Sequence, residues 1–197
     1  MSLNLFIIGP SGCGKSTQAK LIAEKYHLTH LSMGQLLRDE IASKSDLGRE
    51  AQSYIDVGKW VPDELAFRVL TASLQKINNS NFILDGFPRM IGQGIMIEDH
   101  LKNLNLPFSL IIHLDVTFEE ILARRQKKGD AFQDQSRTDN TPEAIAVRQK
   151  SYEETIGPII EHYEPTQKLF RVDGNRPVEP IFQDIQNQID LISQSSS

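Results

Sequence analysis

The chain has 197 residues but one cysteine, one tryptophan and only 7% aromatic residues. The lone thiol, Cys13, can close no internal disulfide and build no zinc knuckle, which excludes a disulfide scaffold and a cysteine-ligated metal site; it reads as a small space-filling residue. No apolar run approaches the roughly 20 residues that span a bilayer, so no membrane partner is expected. Positive charge is also in short supply: 21 Lys and Arg face 26 Asp and Glu, a net charge of −5, which argues against a general nucleic-acid surface. Any anionic ligand must therefore be held by a local cluster of Arg and Lys. The opening Met1-Ser2-Leu3-Asn4 has no basic stretch before the first apolar run, so the chain reads as cytosolic.

What is present is organised around Gly9-Pro10-Ser11-Gly12-Cys13-Gly14-Lys15-Ser16-Thr17, which follows the apolar run Leu5 to Ile8 and precedes a helical pattern. Gly, four residues, then Gly-Lys-Ser is the pattern of a phosphate-binding loop. Gly12 and Gly14 permit torsions closed to other residues, so successive N–H groups can curl around a polyphosphate. The next helix aims its N-terminal N–H groups and positive dipole end at the same anion. Lys15 reaches the phosphates, and Ser16 can offer a hydroxyl to Mg²⁺. A chance match in a chain of this length is expected on the order of once in a hundred, and strand before with helix after lowers that further.

Along the chain, Gln18 to Tyr26 continues a helix, His27 to Ser32 reads as a second strand, and 34–41 and 47–57 as two short helices ended by Gly58. Pro62-Asp63-Glu64 opens a helix to about Lys76. Phe82-Ile83-Leu84-Asp85 is a buried strand ending in an acid, the usual partner of a phosphate loop at a sheet's carboxyl edge. A helix over 93–104, a strand over 110–115 and a helix over 118–127 with a basic end follow. Residues 129–140 are polar and aperiodic and read as a mobile flap. Thr141-Pro142 starts a long helix to Tyr163 that Gly157-Pro158 should kink. A fifth strand over 168–172 and a helix over 177–192 close the pattern, leaving 193–197 as a disordered tail. His27 and His30 have no acidic or cysteine companions in sequence and read as structural. Continuous apolar strands alternating with helices predict one α/β domain over 1–197.

The motifs together resemble those of the nucleoside monophosphate kinases, and of the adenylate kinase family in particular, over nearly the whole chain. Gly9 to Gln18 resembles that family's phosphate loop, and His30 to Arg38 its first monophosphate segment. Gly58-Lys59-Trp60-Val61-Pro62-Asp63 and Asp85-Gly86-Phe87-Pro88-Arg89 match two more, and Arg137-Thr138-Asp139-Asn140, with Arg148 further on, resembles the lid arginine pair. The resemblance implies a three-layer P-loop fold with a five-stranded parallel sheet, a helical monophosphate-binding insertion at 33–60 and a short lid at 126–140. By matching position, Lys15 spans the phosphates of ATP alongside Gly12, Gly14, Ser16 and Thr17, and Arg124 stacks on the donor base. Arg38 and Arg89 clamp the monophosphate, with Met33, Val61 and Gly86 beside them and Gln93 reading the acceptor base. Arg137 and Arg148 hold the transferring group, and Asp85, with Ser16, holds Mg²⁺ and its waters. The partners implied are ATP and a nucleoside monophosphate, AMP by preference, acting on a monomer.

Several positions depart from the adenylate kinase pattern. Met33 stands for a usual Thr, Gln35 for an Asp, Asn140 for the second lid acid and Ser16 for a Gly. The segment 30–40, apart from Met33 and Gln35, is closer to the UMP/CMP kinases, which makes a pyrimidine monophosphate kinase the alternative reading. The short lid has no cysteine, which excludes a zinc-stabilised form. A GTPase would carry an Asn-Lys-x-Asp segment, and none occurs. A nucleotide sensor without transfer activity would have no need of Arg89, Arg137 and Arg148 beyond ATP affinity.

Overall fold

Five segments become strands in the computed structural model, which describes residues 2–56, 59, 61–128 and 142–194. They are β1 (Asn4–Ile8), β2 (Thr29–Ser32), β3 (Phe82–Asp85), β4 (Leu110–Asp115) and β5 (Leu169–Asp173). All described pairings are parallel, in the order β2-β3-β1-β4-β5, so the first strand of the chain is the central one. Parallel neighbours need crossovers, and the helices supply them: α1 (Lys15–Tyr26), α2 (Met33–Ala42), α3 (Asp46–Ile55), α4 (Asp63–Gln75), α5 (Ile91–Asn103), α6 (Phe118–Lys128), α7 (Pro142–Tyr163) and α8 (Val178–Gln194). The result is the expected α/β fold with helices on both faces of a five-stranded sheet. Among the described residues, no helix is long and apolar enough to cross a membrane.

Side chains of β1 alternate between two cores, because successive residues of a strand point to opposite faces. Phe6 and Ile8 join the core built with α2, α4, α5 and α7, where the Phe6 and Phe108 rings stack at 4.4 Å and Phe108 stacks in turn on Tyr163. Leu5 and Ile7 face the other core, formed with α1 and α8, and Cys13 is buried there as a small packing residue. Asn4 is fully buried where β1 begins. Its amide donates to Pro107 O at 2.9 Å and accepts from the Asn81 N–H at 2.9 Å, tying the central strand to the turns ahead of β4 and β3.

Several expected boundaries shift. α7 runs through Gly157-Pro158 as one 22-residue helix. Pro158 lies on its exposed face, where water can hydrate the carbonyl that the missing N–H leaves unbonded. α8 reaches Gln194 rather than stopping at 192, a correction to the tail expected from 193 onward. Its Ile181, Ile185 and Ile189 stripe buries against the sheet, and Ser193 Oγ donates to Ile189 O at 2.8 Å. The insertion expected at 33–60 contains α2 and α3, with 57, 58 and 60 outside the described residues. The lid expected at 126–140 is described only to Lys128, at the end of α6, and residues 129–141 and 195–197 lie outside.

Asn4→Ala would leave the carbonyl of the half-buried Pro107 and the N–H of the exposed Asn81 without their partner at the base of the sheet. We expect it to cost about 1–3 kcal/mol in urea denaturation, the range for one unsatisfied buried group, since water reaches part of both. The folded fraction should keep its ligand affinity, because Asn4 sits at the strand end opposite the candidate site.

Candidate active site

The carboxyl edge of the sheet carries the site because of register. Ile7 of β1 pairs with Asp85 of β3, and Ile8 pairs with His113 of β4, so the loop leaving β1 emerges between the ends of both neighbours. Gly12 and Gly14 have φ of 90° and 108°, and Gly14 caps α1 in the left-handed region, which closes the turn that no other residue type would make without strain. Lys15 folds back over this loop, its Nζ donating to Gly9 O at 2.9 Å and Pro10 O at 2.8 Å.

One residue further, Ser16 Oγ donates to Asp85 Oδ2 at 2.5 Å. Asp85 is 4% exposed. Burial pushes its carboxyl upward, but the nearby His30 imidazole, the charge of Lys15 and the Ser16 hydroxyl outweigh this and hold it below the usual carboxylate range. It is therefore ionised near neutrality. His30, which sequence reasoning left as structural, has Nε2 at 3.7 Å from Asp85 Oδ2. No local pattern could find it, because β2 and β3 must pair before the two meet. A hydroxyl and a buried ionised carboxylate side by side form an oxygen-only donor pair, which fits Mg²⁺, a hard ion that keeps several of its waters.

A cavity of about 650 Å³, within the range of small-ligand sites, runs from this loop to the space under α2 and α3. Its wall includes Gly12, Gly14, Lys15, Ser16 and Thr17 at one end. Met33, Arg38, Val61, Gly86, Arg89 and Gln93 line the other end, and Asp85 and Arg148 lie on the wall as well. The described candidate residues are thus gathered in one cavity, with the exception of Arg124; Arg137 lies outside the described residues.

Two of the cations are oriented by neutral acceptors. Arg89 Nε donates to Gly86 O at 2.9 Å, and Arg38 Nη2 donates to Gln35 Oε1 at 2.6 Å. Gln35 in turn donates to Asp39 Oδ1 at 2.7 Å, so this departure from the family pattern holds the arginine in place. Gln93 is buried, and its Oε1 accepts from the Arg89 N–H at 2.8 Å. The Gln93 amide is thus anchored to the backbone of Arg89, with one carbonyl lone pair already committed. Asp63 also faces this amide; burial raises its carboxyl, and the Gln93 amide opposes the rise.

Arg124 is held on the outer side of the phosphate loop. Its Nη1 donates to Cys13 O at 2.8 Å, Nη2 to Gly174 O at 2.5 Å and Nε to Glu120 Oε1 at 2.7 Å. With the edges of the guanidinium engaged, its planar faces are what it can offer to a ligand. Arg148, on α7, is 5% exposed at the cavity wall. One turn further, Tyr152 also lines the cavity, and its hydroxyl lies 2.7 Å from Nε2 of the buried His113. Burial pushes the His113 imidazole down to about 4, with Lys15 adding to the drop and Asp115 opposing it. The motifs drew attention to neither residue of this pair.

The match to known proteins covers the same ground. The family model described as adenylate kinase matches residues 7–168. The adenylate kinase of Azobacteroides pseudotrichonymphae genomovar. CFP2 is 39% identical over 189 residues, which is 95% of this chain and 97% of that protein. The adenylate kinase of Bifidobacterium longum (strain NCC 2705) is 38% identical, covering 91% of this chain and 95% of its own. That of Bacteroides fragilis (strain YCH46) is 36% identical, over 96% of this chain and its own full length.

The buried neutral His113 makes stability depend on pH. Its folded value, about 4, lies below the unfolded value of about 6.5, so the unfolded chain binds the extra proton first and stability falls as pH drops through this window. The loss from this residue should reach roughly 1.5 kcal/mol between pH 6.5 and 5. Urea denaturation of the parent and of His113→Gln at the two pH values checks this: the variant should lose less by about that amount.

Proposed function

The chain belongs to the adenylate kinase family, and from that membership we propose that it transfers the γ-phosphoryl group of ATP reversibly to AMP, giving two ADP. The observation that supports this most is the single cavity joining a phosphate loop to a wall carrying Arg38, Arg89 and Gln93. A protein that only binds ATP needs the first end and not the second. The enzyme is a phosphotransferase, and the described candidate residues lie within one chain, which supports action as a monomer.

The chemistry asks for alignment and positive charge more than for a strong base, because the phosphoryl group moves in line between two anions. We assign Lys15 to the β- and γ-phosphates, with the loop amides and the start of α1 around them. Arg38 and Arg89 hold the acceptor phosphate by their planar forks, which bind phosphate oxygens in pairs and stay charged throughout. Arg148, together with Arg137, meets the charge of the group in flight. Arg124 offers its face to the adenine of ATP, and Met33 and Val61 supply apolar contact for the acceptor nucleoside. Ser16 and the ionised Asp85 would hold Mg²⁺ and its waters; when bound, the ion neutralises charge on the ATP phosphates. Gln93 presents an amide to the base edge of AMP, already oriented by the Arg89 N–H.

The test is a coupled assay with ATP against a panel of AMP, CMP, UMP and GMP. AMP should give the highest kcat/KM, and a better rate with CMP or UMP would replace this reading by the pyrimidine one. Lys15→Met should lower kcat by at least about 100-fold, the scale of losing a charge contact in a transition state, with Tm unchanged. Gln93→Ala should lower kcat/KM for AMP by about 10- to 100-fold, matching the roughly 1–3 kcal/mol left when a buried polar group loses its partner, while ATP affinity stays level.

A further inference from the structure

The cavity wall also holds a hydroxyl that the assignments above leave without a role. Tyr152 lines the cavity one turn of α7 beyond Arg148, with its oxygen 2.7 Å from Nε2 of His113. His113 is 2% exposed and pairs with Ile8, the last residue before the phosphate loop. Its other ring nitrogen, Nδ1, is buried with no hydrogen-bond partner among the described residues. Tyr152 lines the cavity together with Gly9, Gly12, Gly14 and Lys15, and His113 lies beside the strand end from which that loop departs, which places the pair beside the phosphate loop.

The two neutral tautomers of His113 leave different groups stranded. If Tyr152 donated to Nε2, the ring proton would sit on Nδ1 as a buried N–H with no acceptor. If Nε2–H donates to the Tyr152 oxygen, only a lone pair is stranded at Nδ1. As with backbone groups, an orphaned buried N–H is the rarer of the two outcomes, so the second arrangement is favoured. A doubly protonated ring does not arise near neutrality in so buried a position. The Tyr152 hydroxyl then has its own proton to give elsewhere, and burial, with Cys13 and Asp115 adding to it, holds that proton on the phenol well above the usual tyrosine range. Tyr152 lines the cavity together with Lys15 and Arg148, so a ligand filling it comes up against this side chain. A phosphate offers only acceptors, so a fixed O–H donor is suited to it.

Resting on the reading of this cavity as a nucleotide site, we propose that Tyr152 is a further phosphate-binding residue, its hydroxyl turned outward by His113 to donate to a phosphate oxygen of the nucleotide on the phosphate loop. Tyr152 touches the substrate, and His113 is a positioning residue that acts through it. The arrangement adds a neutral donor beside Lys15 and Arg148 without adding to the charge repulsion among the cations.

Steady-state kinetics with ATP and AMP, together with Tm, on Tyr152→Phe, His113→Leu, His113→Gln and the double variant His113→Leu/Tyr152→Phe test the pair. Tyr152→Phe should lower kcat/KM for ATP by about 10- to 100-fold, as for a hydrogen bond to a charged group, with Tm near the parent's. His113→Leu should cause a similar loss, the double variant should be no worse than Tyr152→Phe, and His113→Gln, whose amide N–H stands where Nε2–H did, should recover most of the activity. The proposal is overturned if Tyr152→Phe stays within about two-fold of the parent for both substrates, or if the two single losses multiply in the double variant. If His113→Leu melts below the assay temperature, Tyr152→Phe and His113→Gln decide the matter. Should the parent itself transfer phosphate to no monophosphate, the functional reading fails separately, and calorimetric ATP binding by the parent and Tyr152→Phe still tests the hydroxyl: weaker binding supports it, and equal binding removes it.

Discussion

The register of β1 against its two neighbours is the constraint on which the site depends. With Ile7 opposite Asp85 and Ile8 opposite His113, the loop after β1 opens between a carboxylate on one side and an imidazole on the other. A slip of one residue would turn every side chain of β1 to the opposite core and carry Ser16 away from Asp85. The two cores resist that slip, since Phe6 and Ile8 fill one and Leu5 and Ile7 the other. Asn4 pins the far end of the strand to both neighbouring turns.

On that frame the cations are placed largely by neutral acceptors. Lys15 donates to the carbonyls of Gly9 and Pro10, Arg89 to that of Gly86, and Arg124 to those of Cys13 and Gly174. Arg38 is met by the amide of Gln35. A carbonyl orients an ammonium or guanidinium without cancelling its charge, so a net charge of −5 over the chain coexists with a concentrated positive field at one edge of the sheet. The field is what a reaction between two anions requires, and confining it to the cavity is consistent with an otherwise acidic surface.

The acceptor end is built with the same economy. Gln93 and Arg89 lie on one short segment, and the Arg89 N–H fixes the amide of the residue proposed to read the base. The two side chains proposed for the base and the phosphate of one nucleotide are thus held by one hydrogen bond and cannot move independently. Met33 and Val61, both buried on the cavity wall, supply the apolar remainder.

The phosphate loop, the apolar strands, the caps and the amphipathic helices were determined by the sequence alone, because each depends on residues within one or two turns of chain. The loop from Gly9 to Thr17 carries its own torsional and hydrogen-bonding requirements in nine consecutive letters. The end of α8 was misjudged for a related reason: serine and glutamine are poor markers, and the isoleucine stripe that holds them in helix becomes decisive only once it packs on the sheet. The tertiary structure decided the pairs. Ser16 meets Asp85 across 69 positions and His113 meets Tyr152 across 39. Such contacts leave no periodic trace, since they exist only when parallel strands have paired in one register and α7 has been laid across their ends. His113 therefore reads in sequence as one more residue of a buried strand, and only its neighbours in space give its nitrogen a partner.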